Sequence, residues 1–138
     1  MQIKSRKTYE FEYIIKETDL DVFGHVNNAN YLKIYELARW DFIEKNGFGL
    51  ERIKKEMKGP VLLEVKLNFR RELKNREKIK VKSFADKIDG KFMWLSQEMI
   101  RGEDLCSKAS FMVAYFDLKE RKMLPPSPEW LAACGIEV

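Results

Sequence analysis

From Tyr9 onward the chain places apolar side chains at every second position, with Tyr9, Phe11, Tyr13 and Ile15 in one phase and Glu10 and Glu12 in the other. Period two is the pattern of a β-strand with one buried face. The segment ETDLDVFGHVNN, rich in Asp, Asn and Gly, then predicts a loop that feeds a helix. Asn27 and Asn28 are suitable N-caps, because an Asn oxygen can accept one of the free N–H groups of a first turn. From Ala29 to Lys45 there is no Gly or Pro, and Tyr31, Leu32, Ile34, Tyr35, Leu37, Ala38, Trp40, Phe42 and Ile43 lie nearly all the way round the helix. Such a helix is expected to be buried. Asn46-Gly47 supplies its stop, and a second short helix is expected from Leu50 to Met57.

After Gly59-Pro60 the period returns to two. Val61, Leu63, Val65, Leu67 and Phe69 are expected on one face, with Leu62, Glu64, Lys66, Asn68 and Arg70 on the other. Ile79, Val81, Ser83 and Ala85 mark a further strand, and Asp89-Gly90 is a hairpin signal leading into a strand over Lys91–Ile100. Gly102 turns the chain into a long strand, Leu105–Leu118, and a short helix over Pro128–Ala133 closes it. One strand, one long apolar helix and four strands joined mainly by short turns define an α+β class. A curved antiparallel sheet wrapped around the helix would cover it.

Length and composition narrow the function. One domain spanning 1–138 is long enough to bury a core, and 45% hydrophobic with 35% charged residues is a globular balance. The net charge of +4 favours anions only modestly, so a nucleic-acid partner is not expected. Cys106 and Cys134 have neither metal-like nor disulfide-like spacing, which fits reduced thiols in a cytoplasmic protein. A single histidine, His25, excludes a multi-histidine metal site, so no metal or cofactor is expected. No apolar run follows Met1 and none is long enough for a membrane span, so neither a signal peptide nor a transmembrane segment is expected.

The chemistry concentrates ahead of the long helix. Asp21 precedes a helix N-terminus, where free N–H groups and a partial positive charge can stabilise an oxyanion. A carboxylate beside such a site can attack a carbonyl or activate water. By itself this pattern also fits an Asp that shapes a turn, Asn caps, a turn glycine and a structural histidine. The run Asp21-x-x-Gly24-His25-Val26-Asn27-Asn28-x-x-Tyr31, with Glu36 and Arg39 further along, resembles the 4-hydroxybenzoyl-CoA thioesterase-like branch of the hotdog superfamily. The strand order and the Arg70-Arg71 strand end also fit.

The resemblance implies a hotdog fold, a five-stranded antiparallel sheet wrapped around one long central helix. It implies a homodimer or homotetramer, with the sheet continuous across each dimer and active sites at the interface. Asp21 matches the catalytic aspartate, as nucleophile or general base; Val26, Asn27 and Asn28 match the oxyanion site, and Gly24 and Tyr31 belong to the substrate site. A related run in plant acyl-carrier-protein thioesterases, Asp-Val-Asn-Gln-His-Val-Asn-Asn, is similar, but Phe23 and Gly24 replace its Asn and Gln. His25 therefore enters as a catalytic assistant without the full Asp/Asn/His set.

The expected activity is hydrolysis of an acyl-CoA thioester. A carrier-protein donor and a non-catalytic acyl-CoA-binding module are the alternatives. Arg70 and Arg71 lead the basic run Arg70, Arg71, Lys74, Arg76, Lys78, Lys80, Lys82, which reads either as a solvated face or as a seat for coenzyme A phosphates or an acidic acyl carrier protein. Glu36 is expected to pair with Arg39 or a strand cation, and Glu64 to face solvent or reach a partner's site. Phe23, Trp40, Phe92 and Trp94 are expected either in the core or along an acyl tunnel.

Overall fold

The chain was analysed as a computed structural model that describes residues 2–137. The ends of the expected 1–138 domain, Met1 and Val138, lie outside the described residues. The elements in chain order are β1 (Ser5–Arg6), β2 (Tyr9–Ile14), α1 (Asn28–Lys45), α2 (Leu50–Glu56), β3 (Lys58–Phe69), β4 (Lys78–Asp89), β5 (Phe92–Arg101), β6 (Asp104–Asp117), β7 (Lys122–Leu124), α3 (Pro128–Ala133) and β8 (Ile136–Glu137). Five antiparallel strands run in the order β2-β4-β5-β6-β3, and β7 pairs with the end of β6. β1 and β8 pair with each other, and a single 3₁₀ turn covers Glu17–Asp19.

The α1 residues Tyr31, Ile34, Tyr35, Ala38, Arg39, Phe42 and Ile43 are buried. Their spacing of three and four puts them in one stripe, which lies in the concave face of the sheet. Each fully buried side chain of this kind contributes roughly 1.5–3 kcal/mol, so packing and not helix propensity holds α1. The expected burial on nearly all sides is corrected: Leu32 and Leu37 are exposed and Trp40 is half-buried. The sheet wraps the helix from one side only.

β3 also departs from simple alternation. A bulge at Leu63 shifts the register, with Leu62 opposite Val113 and Glu64 opposite Met112. Before the bulge it is Pro60 and Leu62 that face α1; after it, Val65, Leu67 and Phe69 do. The expected inward positions Val61 and Leu63 are thereby corrected, because one inserted residue reverses the phase of the strand. Nor does β3 pair with the strand that follows it. Residues 70–77 carry the chain from one edge of the sheet to the other side, and consecutive antiparallel pairing then runs from β4 through β5 and β6 to β7. The β4–β5 turn falls one residue later than expected, at Gly90-Lys91 between the paired Asp89 and Phe92, and Gly90 takes φ +61°.

A polar chain crosses the core. Gln97, fully buried, donates to the Tyr35 carbonyl at 3.0 Å and to Ser83 Oγ at 2.9 Å, and accepts from Arg39 Nη1 at 3.0 Å. The Tyr35 hydroxyl donates to Ser107 Oγ at 2.7 Å, which in turn donates to the Asn68 carbonyl. Arg39 is 9% exposed and stacks on Phe111 at 4.2 Å. Burial pulls its guanidinium down to about 10, still charged at neutral pH. Its hydrogen-bond partner is Gln97, not the expected Glu36. Cys106 and Cys134 are both free and buried, and burial raises both thiols.

Gln97→Leu removes the acceptor of a buried cation and the donor to two buried oxygens. The expected cost is about 2–4 kcal/mol, read as a lower urea midpoint at unchanged m-value.

Candidate active site

Asp21 sits in a tight turn that its own groups close. Its backbone N–H donates to the His25 carbonyl at 2.8 Å, and its carbonyl accepts from Gly24 N–H at 3.1 Å. Its carboxylate Oδ1 accepts from Phe23 N–H at 2.8 Å and His25 N–H at 3.3 Å. Among the described residues, Oδ2 takes no hydrogen bond. Gly24 meets the demand of the turn with φ +81°, a conformation costly for other residues. Leu20 and Val26 bridge across the base of the turn, so the loop is a closed miniature hairpin.

The loop is fastened at both sides. Asp19, buried beneath it, accepts from the Tyr13 hydroxyl at 2.8 Å and from Lys16 N–H at 2.9 Å. Burial, helped by that hydrogen bond, pushes the Tyr13 phenol up to about 12, so it stays a donor. Asn27 N–H and Asn30 Nδ2 both donate to the Asp19 carbonyl at 2.9 Å. On the other side Val26 N–H donates to the Leu73 carbonyl at 2.9 Å, and His25 bridges to Lys74. Arg101 holds that crossover from behind, donating to the Glu72 carbonyl at 2.9 Å and to the Glu77 carboxylate.

Asn27 caps α1, its Oδ1 accepting from Ala29 N–H at 2.9 Å. The three amides expected as an oxyanion site are not equivalent. Val26 N–H is spent on Leu73 and Asn27 N–H on Asp19. Asn28 N–H alone of the three has no acceptor among the described residues, and it is the first amide of the helix. The expectation is therefore corrected for the Val26 and Asn27 amides.

A cleft of about 720 Å³ opens over this loop, lined by Asp21, Phe23, His25, Val26, Asn27, Asn28, Tyr31, Phe69, Arg70, Arg71 and Glu72. All the expected site residues lie here, with Gly24 in the turn just behind the wall. Tyr31 is buried and meets Phe69 edge-on at 4.9 Å, and burial raises its phenol. His25 Nε2 lies 3.1 Å from Glu72 Oε2. Phe69 and Glu72 join the site through contacts with Tyr31 and His25, 38 and 47 positions away, which no local spacing announces. Among the described residues no cluster of three His, Cys, Asp or Glu side chains is placed to hold a metal ion.

The basic run divides. Arg71 pairs loosely with Asp104 at 3.5 Å, Arg76 is taken by Glu17 at 2.7 Å, and Lys80 reaches Glu10 at 3.7 Å. Lys78, Lys80 and Lys82 stand on the outer face of β4 opposite Ile14, Glu12 and Glu10. That part of the run is a solvated face. Arg70 has no side-chain partner among the described residues. Phe92 and Trp94 do not reach the cleft: their neighbours Met93 and Leu95 face the core, so they stand on the outer face, with Lys87 over Trp94 at 4.6 Å. Both the tunnel and the core expectations are thereby corrected for this pair. Glu64 is exposed.

A long helix cradled in a curled antiparallel sheet is the hotdog arrangement, a fold found among thioester hydrolases. The comparisons agree: the chain belongs to the Thioesterase-like superfamily, whose profile matches residues 15–134. It is 31% identical over 107 residues to the long-chain acyl-CoA thioesterase FadM of Escherichia coli, covering 76% of this chain and 80% of that one. The crystal structure of YbaW, a probable thioesterase from E. coli, superposes with a TM-score of 0.79 at 27% identity, over 90% of this chain and 94% of that one. A Staphylococcus aureus protein solved in complex with CoA shares the fold with a TM-score of 0.85 at 16% identity, over 96% and 85% of the two chains.

Asn27→Ala removes the N-cap acceptor of Ala29 N–H and leaves it only Asn28 Oδ1, at 2.8 Å. The expected loss is about 1 kcal/mol in thermal unfolding, and greater hydrogen exchange confined to the first turn of α1.

Proposed function

We propose that the chain hydrolyses acyl-CoA thioesters in the Asp21 cleft, with Asp21 as the catalytic carboxylate and Asn28 N–H as the oxyanion donor. The observation that carries this reading is the pairing of an acceptor-free amide at the start of α1 with a carboxylate whose Oδ2 is unpaired, in one cleft. The thioester carbonyl lies against Asn28 N–H, where the helix end favours developing negative charge. Asp21 Oδ2 then attacks the carbonyl carbon, or takes a proton from a water that attacks it. Collapse of the tetrahedral intermediate breaks the C–S bond and releases the thiolate, which is protonated; in the covalent route water then cleaves the acyl-Asp21 anhydride.

His25 acts in this reading as a positioning residue. Its main chain holds Asp21 on both sides, while its imidazole is engaged with Glu72. Tyr31, Phe23 and Phe69 form the apolar wall. The kinship with FadM supports an acyl-CoA substrate. Arg70 and Arg71, free or loosely paired at the cleft, suit the phosphates of coenzyme A, since an exposed pair such as Arg71–Asp104 is worth little and yields easily. A carrier-protein phosphopantetheine would meet the same arginines.

A second copy of the chain is the proposed partner. β3 is twelve residues long and pairs only with β6, leaving its other edge open. Leu62, Leu63 and Phe69 are exposed along it, and Val22 and Phe23, 94% and 79% exposed, crown the Asp21 turn. A long open edge with apolar flanks is normally paired or covered. The absence of any membrane-crossing helix among the described residues and two buried free thiols fit a cytoplasmic setting.

Asp21→Asn keeps an oxygen for the Phe23 and His25 amides and removes only the charge. Its expected effect is a loss of kcat of at least ~10²-fold with unchanged thermal stability, measured as thiol release from an acyl-CoA series. Full activity in a folded Asp21→Asn protein defeats the assignment. The double change Arg70→Gln with Arg71→Gln is expected to raise KM for acyl-CoA but not for the matching acyl-pantetheine. Sedimentation is expected to give a dimer that Leu63→Lys shifts towards monomer.

A further inference from the structure

Tyr31 carries a hydroxyl that neither the fold nor the hydrolysis step uses. The residue is 4% exposed, and its ring meets Phe69 edge-on at 4.9 Å. It belongs to the buried stripe of α1 and not to the open edge of β3. Tyr35, one helical turn on, spends its hydroxyl on Ser107 Oγ at 2.7 Å. The Tyr31 hydroxyl has no such partner among the described residues. Every fully enclosed side-chain nitrogen or oxygen among them does have one, so this hydroxyl keeps some surface. Tyr31 lines the Asp21 cleft, and the hydroxyl opens there. Burial raises the phenol first, followed by Cys106 and the Glu72 carboxylate, ahead of Asp21. The group therefore stays protonated at neutral pH as a donor, and it lies on the Phe69–Glu72 side of the cleft.

Taken with the hydrolytic reading, on which this inference rests, that position selects what the hydroxyl can meet. The thioester carbonyl sits at Asn28 N–H, and the phosphates sit at Arg70 and Arg71, on the Phe69–Glu72 wall. Between them the substrate is the pantetheine arm, which is uncharged and carries amide groups, the nearer one a few atoms from the sulfur. When substrate expels water from the cleft, a hydroxyl in an apolar wall loses its solvent partner and needs another acceptor. A neutral phenol matches a neutral amide carbonyl, whereas anionic phosphates go to guanidinium groups. We propose that Tyr31 is the specificity-determining residue for the thiol arm: its hydroxyl donates to an amide carbonyl of pantetheine, so the cleft favours pantetheine thioesters over thioesters of simple thiols. Coenzyme A and an acyl carrier protein present the same arm, so Tyr31 serves either donor.

A matched pair of hexanoyl thioesters tests this on the full chain. One is the thioester of N-acetylcysteamine, the amide-bearing end of pantetheine; the other is that of pentane-1-thiol, of the same length without the amide. Wild-type protein is expected to hydrolyse the first with a kcat/KM at least ~tenfold higher, the scale of one hydrogen bond made in a desolvated site. Tyr31→Phe keeps the ring against Phe69 and is expected to erase that preference, lowering kcat/KM for the amide-bearing thioester only. A purely structural role would lower both alike. Calorimetric titration of CoA, which needs no hydrolysis, is expected to show ~tenfold weaker binding to Tyr31→Phe. CoA binding that weakens in this way without turnover of any thioester defeats the hydrolytic reading and upholds the role of Tyr31. Equal rates on the pair in the wild type, a preference that survives Tyr31→Phe, or an unchanged CoA affinity overturns the proposal and leaves the Asp21 assignment standing. So does a loss in Tyr31→Phe confined to 3-hydroxyhexanoyl over hexanoyl thioesters, which puts the hydroxyl on the acyl side.

Discussion

The hydrogen bond from Val26 N–H to the Leu73 carbonyl, with the His25–Lys74 bridge and the His25–Glu72 contact beside it, joins two segments distant in sequence. One is the loop ahead of α1; the other is the crossover that leaves the edge strand β3 and returns to the far side of the sheet. Pairing them sets Asp21 and the first amides of α1 on one wall of a cleft and Phe69 to Glu72 on the other. The bond lies beside the Leu20–Val26 bridge and under the Asp19 contacts, so moving the loop means breaking a connected group of hydrogen bonds. Such connected groups shift together or not at all, which gives the carboxylate a fixed direction before any substrate arrives. The same bond also occupies Val26 N–H, and with Asn27 N–H given to Asp19 only Asn28 of these three amides is left without an acceptor among the described residues.

Local features of the chain were legible from the sequence. The helix start at Asn27, the hairpin turn at Gly90 and the closing helix Pro128–Ala133 each rest on local residues, whose own chemistry sets the backbone there. The Asp21 to Tyr31 run was legible for the same reason, since it is one continuous segment. Features that depend on distant contacts were not. The bulge at Leu63 follows from matching β3 to β6, and in sequence Val61-Leu62-Leu63 offers two equally apolar phases. Phe92 and Trp94 look like core residues by composition, but the register with β6 turns them outward. The engagement of Arg39 with Gln97 spans 58 positions, whereas the nearby Glu36 offered the more obvious partner.

Charge behaves in the same divided way. The row of basic residues from Arg70 to Lys82 reads as one feature in sequence, yet the crossover distributes it over separate surfaces. Arg76 is neutralised by Glu17, and the lysines of β4 lie beside the glutamates of β2. Only the first two arginines stay with the cleft, so anion attraction is focused there and not spread along an edge.

The burial of Cys106 and Cys134 has a practical consequence. Both are free, both are sealed in the core, and burial holds both in the unreactive thiol form. A thiol-specific reagent meets them only when the structure opens. Cys106 lies near the start of β6, between β5 and β3, while Cys134 closes α3 near the chain end. Their separate alkylation rates would therefore give a two-point clock, one hand timing the parting of the sheet and the other the release of the C-terminal helix.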